Sequence, residues 1–537
     1  MSDGRLDLRD RDGLFAALEA ERFDVAVIGG GITGAGVARE AALRGLSVAL
    51  VEARDFASGT SSRSSKLIHG GLRYLAQGDL GLVREAASER KVVEAIAPHL
   101  ARETPFVIPA RTAAGIARLR AGLWTFEKLG GVPKRRRHQL WSREELKARE
   151  PAVRAEGLAG AVVYPEFVTD DARLTLANIR SAAAAGAVVA NYAPVEAIVA
   201  ENGRAAGLAV AEGLSGAPWR HAHVRARVIV NAAGAWADTV RALEDPAAAP
   251  KLELTRGIHL VLPRTRLPIS RTIVMTAADG RGVFAVPRGP MAYVGTTDTF
   301  FEAPEPWPPI LEADVDYLLA ALGRTFEAPP IGRVDITSAW SGLRPLVGQP
   351  GKGPSEISRR DELMTGPAGV LTIAGGKLTA FRRMAERVVD AVETALGRPP
   401  GRSKTASEPL VGSDVDLAAA LKAVAACGVG DGAAERLVDL YGSEAETVAA
   451  AGGGPAAEAT HAVLAEGALR LEDWWTRRSA RAWFDPDAGL SALAEAGGAM
   501  APLLGWSPDR VAAEIGQCRA RRQADMAALG TTEAASA

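Results

Sequence analysis

The stretch VIGGGITGAG at residues 27–36 restricts this chain more than any other feature. Gly29, Gly31 and Gly34 make G-x-G-x-x-G between an apolar run, Phe23–Ile28, and a small-residue segment of helical character that ends near Arg44. A second apolar run, 47–51, leads to Glu52, eighteen residues after Gly34. Strand, glycine turn, helix, strand and acid in that order predict a βαβ unit that binds a dinucleotide. Gly29 serves the tight turn, Gly31 lets backbone approach a pyrophosphate, and Gly34 lets helix and strand pack closely. The helix start offers N–H groups to the phosphates, and Glu52 suits a ribose hydroxyl pair while repelling a 2′-phosphate.

With 537 residues the chain exceeds what one hydrophobic core organises, so two or three domains are expected. Its 63 Lys+Arg nearly balance 64 Asp+Glu, which removes the overall electrostatic drive of a nucleic-acid binder. The two cysteines, Cys427 and Cys518, form no CxxC, metal spacing or disulfide framework, so a reducing, cytoplasmic setting is expected. No apolar stretch reaches the roughly 18–20 residues of a spanning helix, and the first twenty residues, rich in Asp and Arg, do not read as a secretory signal.

Strand signals recur near 161–164, 188–199, 224–230, 258–262, 283–286, 291–295 and 370–374, and helical periodicity near 79–97, 170–185, 312–322 and 377–396. Beyond about Pro399 the chain turns Ala-, Leu- and Arg-rich and reads as helices broken at Gly/Pro sites, with a boundary at 398–407. NAD and FAD use the same adenosine grip, so the fingerprint alone leaves both open; its single occurrence favours a flavin that meets its substrate directly. Two further strand-to-helix turns on small residues, Asn231–Asp238 and Ile373–Thr379, could approach a long cofactor.

The segment SSRSSKLIHGGLRYL, 61–75, gathers four serines, three basic side chains and His69 directly after the dinucleotide unit. Such a loop suits an anionic ligand, and His69 titrates near neutrality. Arg344 sits in a Gly/Pro turn, Arg256 and His259 flank a short strand, and Gly295–Asp298 ends another; these matter only if they converge. P-loop, H-E-x-x-H and G-x-S-x-G patterns are absent, and His221 and His223 read as a solvated strand face, so no metal site is expected. The run Lys134–Arg137 between Trp124 and Trp141 suits either anionic lipid or a solvated loop.

The stretches VIGGGITGAG, TSSRSSKLIHGGLRYL (60–75), TDDARLTLAN (169–178), NAAGAWAD (231–238), RGIHLVLP (256–263), VGTTDT (294–299), SGLRPL (341–346) and AGGKLTAFRRMAE (374–386) resemble, in order, the FAD-dependent glycerol-3-phosphate dehydrogenases and the similar glycerol-3-phosphate oxidases. The resemblance implies an α/β architecture: a Rossmann-type FAD-binding domain from 1–110, 169–255 and 336–398, an interleaved α+β substrate domain from 111–168 and 256–335, and an all-helical C-terminal domain over 407–537. It implies oxidation of glycerol 3-phosphate at C2 by hydride transfer to FAD, with electrons passed to quinone and a peripheral hold on the inner face of the cytoplasmic membrane. It implies cofactor contacts from Gly29, Gly31, Gly34, Glu52, Thr60, Ser61, Ser62, Ser65, Lys66, Leu67, Gly234, Gly375, Gly376, Lys377, Leu378 and Thr379. Substrate contacts fall to Arg73, Tyr74, Thr297, Arg344 and Lys377, and the base is His69 or His259, with Arg344 favouring the alkoxide. Competing readings are an oxygen-reducing glycerol-3-phosphate oxidase, a flavin amine oxidase for glycine- or sarcosine-like substrates, and a non-catalytic cofactor-bound binding protein. The sequence carries no trace of oligomeric state, a homodimer being among the arrangements it allows.

Overall fold

The computed structural model describes residues 4–70, 80–214, 220–327, 329–349, 351, 353, 357 and 360–530. Two sheets organise them. The first has eight strands, ordered along its main path as Asp361–Thr365, Leu371–Gly375, His221–Asn231, Arg22–Ile28, Val48–Val51 and Val188–Ala190. The strands Arg22–Ile28, Val48–Val51 and Val188–Ala190, and the end of His221–Asn231 against Leu371, pair in parallel. Their near-continuous Val, Ile and Ala runs are what a sheet covered on both faces demands. The helices Ile32–Leu43 and Phe381–Ala395 lie together on one side, where Gly36 leaves just enough room for Phe381 and Ala385.

The expected strand over 188–199 is two strands, Val188–Ala190 and Val195–Glu201, in different parts of the sheet. Asn191, Tyr192 at φ +48° and Pro194 interrupt it, and a proline cannot supply a ladder N–H. The helices expected at 79–97, 170–185, 312–322 and 377–396 are Leu80–Ile96, Asp171–Ala184, Glu312–Thr325 and Phe381–Ala395. The strand Arg102–Ala110 carries Pro105 and Pro109 and two charges, and gave no such signal.

The second sheet has ten strands, and its longest, Leu252–Pro263, lies toward one edge. That strand pairs antiparallel with Ser338–Val347, Met291–Gly295 and Thr299–Phe301. Its register sets Thr255 opposite Arg344, Gly257 opposite Gly342 and His259 opposite both Trp340 and Gly295. Directly opposed residues share a face, so one side of this sheet carries His259 and Arg344 together.

From Leu417 onward every regular element among the described residues is helical. This region is clamped to the first sheet by buried charge. Asp55, in the loop after Val48–Val51, accepts hydrogen bonds from Arg477 (2.6 Å), Arg478 and Asn191 (3.2 Å). Arg173 pairs with Glu466 at 2.5 Å and Arg180 with Glu444 at 2.7 Å.

Candidate active site

A cleft of about 440 Å³ opens at the carboxyl ends of the parallel strands and continues beneath the second sheet. Ligands of open α/β sheets bind at this edge, where strand order reverses. At one end Glu52 is half-buried, and its carboxylate accepts the N–H groups of Gly30 (2.7 Å) and Arg54 (2.9 Å). Burial pushes its pKa up against those bonds. Gly29 takes φ +110°, and a side chain at Gly34 would collide with the Gly29 carbonyl, so Gly34 serves helix–strand contact and does not line the cleft. A Cβ added at Gly31 meets only Ser61 Oγ, at 3.2 Å, so this backbone stands open to the cleft. Ser61 Oγ accepts the Ile32 N–H at 2.9 Å and steadies the helix start. Gly234 at φ +57° also leaves its added Cβ free of any neighbour within 4 Å. Gly375, Gly376, Lys377, Leu378 and Thr379 close the other side, and Thr379 donates to the His69 carbonyl at 3.2 Å.

At the far end the cleft meets the polar face of the second sheet. His259 is almost wholly buried, stacked on Trp340 with centroids 4.8 Å apart and planes 14° apart, and its other side abuts Gly295, where a Cβ would strike the ring. Its Nε2 lies 2.9 Å from Ser65 Oγ. Burial, then the cations of Arg344 and Lys66, push its pKa well below the ordinary histidine value, so the ring is neutral. The Arg344 guanidinium, lying across Gly257, donates to Asp298 (3.0 Å), Thr296 Oγ1 (2.8 Å) and the Thr297 carbonyl (3.1 Å). His69 lines the same space as Lys377, and Lys377 acts electrostatically on the buried Glu166. Glu166 in turn accepts the Gly70 N–H (3.0 Å) and a guanidinium N–H of Arg90 (2.7 Å), fixing the end of the His69 loop.

Gly29, Gly31, Glu52, Thr60, Ser61, Ser65, Leu67, His69, Gly234, His259, Arg344 and 375–379 all border this one cleft. Besides Gly34, three expected contacts are placed elsewhere. Lys66 is buried in an ion pair with Asp171 (2.5 Å) and donates to the Ser62 carbonyl, so its charge is spent inside the protein. Ser62 is buried with its hydroxyl 3.5 Å from the Gly59 carbonyl, and Thr297 Oγ1 accepts the Ile258 N–H at 3.1 Å. Thr60 borders the cleft but gives its hydroxyl to the Leu343 carbonyl at 2.6 Å. Arg73 and Tyr74 lie outside the described residues. The sequence reading did not single out Thr296 and Asp298 as holders of Arg344, nor Trp340 as the platform under His259. VGTTDT marked the segment, yet only the strand register tells which threonine faces Arg344.

The FAD dependent oxidoreductase family (DAO) matches residues 24–382, and the C-terminal domain of alpha-glycerophosphate oxidase matches residues 403–511. Aerobic glycerol-3-phosphate dehydrogenase of Staphylococcus aureus (strain USA300) is 40% identical over 452 residues, 81% of either chain. The chain belongs to the FAD-dependent glycerol-3-phosphate dehydrogenase family. Among solved structures, the glycerol-3-phosphate dehydrogenase of Bacillus halodurans complexed with FAD superposes with a TM-score of 0.81 at 30% identity, over 98% of this chain and 100% of that one. The FAD-bound L-alpha-glycerophosphate oxidase of Mycoplasma pneumoniae, 17% identical, shares the fold, with a TM-score of 0.56 over 73% of this chain and 99% of that one. The residues present fit FAD: the Glu52 carboxylate borders the cleft where a ribose would lie, Gly31 leaves backbone open for a pyrophosphate, and the turn at Gly234 adds no side chain to the cleft.

Proposed function

We propose that this flavoenzyme oxidises the C2 hydroxyl of sn-glycerol 3-phosphate to the ketone of dihydroxyacetone phosphate. The observation that carries the reading is the convergence of a neutral imidazole, His259, and a clamped guanidinium, Arg344, on one sheet face over a dinucleotide cleft that Lys377 and His69 also border. FAD, when bound, supplies the hydride acceptor.

The chain's own residues supply the rest. Arg344, held in one orientation by Asp298 and Thr296, borders the cleft, where its positive charge lowers the energy of the developing alkoxide. Lys377, with Arg73 and Tyr74 assigned by family resemblance, binds the phosphate. The substrate dianion then offsets the cations that depress the His259 pKa, so a ring that is neutral before binding becomes a competent proton acceptor.

For the electron acceptor we favour quinone drawn from a membrane. Along the helix Ala113–Leu129 and the turn after it, Arg118, Arg120, Lys128, Lys134, Arg135 and Arg137 are exposed beside exposed Trp124 and Leu140. Cations with aromatic and aliphatic side chains between them fit an anionic lipid surface. No helix among the described residues is long and apolar enough to cross a bilayer.

Anaerobic mixing with glycerol 3-phosphate should bleach the oxidised flavin, and a quinone analogue should restore the colour faster than oxygen does. Bleaching by glycine or sarcosine in place of glycerol 3-phosphate refutes the substrate; faster recovery with oxygen refutes the acceptor. Sedimentation with anionic vesicles, reduced in a Trp124→Ala, Arg135→Ala variant, tests the membrane face.

A further inference from the structure

His259 borders the cleft, yet one nitrogen of its ring is sealed and the other is taken by a serine hydroxyl. Its Nδ1 is sealed from solvent, including the cleft, and has no hydrogen-bond partner among the described residues. Stacking on Trp340 and the contact with Gly295 keep the ring from turning to expose it. The other nitrogen, Nε2, is covered by Ser65 Oγ at 2.9 Å. Ser65 is half-buried and borders the cleft, and its hydroxyl makes no other side-chain bond among the described residues. Its position is held from behind, because the Tyr293 hydroxyl donates to the Ser65 carbonyl at 2.9 Å.

We infer that Ser65 is a catalytic residue, the hydroxyl through which the substrate proton passes to His259. This rests on the function proposed above. A hydroxyl can accept one proton while it gives up another, and Ser65 Oγ, at the border of the cleft, is bonded to the ring nitrogen that is not sealed. The substrate O–H bond breaks and its proton goes to Ser65 Oγ; the proton already on Oγ goes to His259 Nε2. C2 loses its hydrogen with the electron pair to FAD, the C2–O double bond forms, and the imidazole is left protonated. The alcohol is oxidised by two electrons and FAD is reduced by two. Neither tautomer satisfies Nδ1, so the choice between them is made at Nε2, where a serine can donate or accept; the relay uses the one with its proton on Nδ1.

The test is anaerobic flavin reduction by glycerol 3-phosphate, followed in mixtures of H2O and D2O. Two protons in flight give a bowed dependence of rate on deuterium fraction in the wild-type holoenzyme. Ser65→Ala should retain FAD and lose roughly 100-fold in the reduction rate, the scale of general base catalysis, with the bow flattened to a line. Ser65→Thr, which keeps a hydroxyl, should recover the rate to within several-fold and keep the bow. A Ser65→Ala enzyme as fast as wild type overturns the relay, since Ser65 is then only a placeholder that the substrate displaces. A linear or absent solvent isotope effect in wild type overturns it whether or not the variants load FAD. If wild type is not bleached by glycerol 3-phosphate at all, the function itself fails and the relay with it; bleaching without the bow condemns the relay alone.

Discussion

Gly257 and Arg344 are in contact across two paired strands, the guanidinium lying flat over the backbone where a side chain at 257 would stand. Thr296 Oγ1 fills the same space, so any Cβ at 257 displaces both the arginine and a side chain that anchors it. Gly257→Ala should therefore leave the fold and the FAD in place and lower the rate of flavin reduction by roughly 100-fold, as misplacement by about an ångström does. Flavin absorbance and the reduction rate, read from one preparation, check this. An unimpaired rate would mean that Arg344 does not touch the reacting oxygen.

The acid at the other end of the cleft is tested by the cofactor alone. Glu52 already accepts two backbone N–H groups and keeps oxygen capacity toward the cleft. A hydrogen bond to a charged group is worth about 1.5–3 kcal/mol, so Glu52→Gln should weaken FAD retention by roughly 10- to 100-fold. The readout is fluorescence of flavin released on dilution. Equal retention would remove Glu52 from the ribose.

How far the site could be read in advance depends on how local each part is. The glycine turn and Glu52 lie within one βαβ unit, and there residue type and spacing determine the geometry. His259 and Arg344 were visible as chemistry but not as neighbours, because their meeting rests on a strand register between segments some eighty residues apart. Register also decides faces, and a shift of one residue reverses them. Thr296 therefore bonds Arg344 while Thr297 is spent on Ile258, and Ser65 faces the cleft while Lys66, at φ +53°, turns inward to Asp171. Nothing in SSRSSK distinguishes those last two neighbours before the fold is known.

The neutrality of His259 can be measured without turnover. Besides Ser65, the ring packs against Trp340, Tyr293 and Gly295, and the charged groups that act on it are the cations Arg344 and Lys66. Burial works in the same direction as the cations. In substrate-free protein carrying ¹³C-labelled histidine, the Cε1 signal that vanishes in His259→Gln should stay at its neutral position from pH 8 down to pH 5. An ordinary imidazole titrates near 6.5 over that range, and a midpoint there would refute this account of its surroundings. Removing one cation by Arg344→Met should move the midpoint upward.

Asp55 joins the helical region to the nucleotide-binding sheet, and its loss should be costly for a definite reason. Burial alone would raise its pKa, but Arg478 and Arg477 outweigh that and hold it below the usual aspartate range. Asp55→Asn keeps the shape and removes the charge, taking the carboxylate partner from buried Arg478 while Arg477 keeps Glu472 and Asp473. Breaking one side of a buried pair costs about 3–5 kcal/mol, so the urea midpoint should fall clearly, with the helices after residue 417 becoming the first target of a protease. The wild-type contribution is full above about pH 4 and is lost as acid protonates the carboxylate, because the folded pKa lies below the unfolded one. The gap in urea stability between wild type and Asp55→Asn should thus be wide at pH 7 and narrow toward pH 3. A gap independent of pH would mean that the carboxylate holds the helices by shape and not by charge.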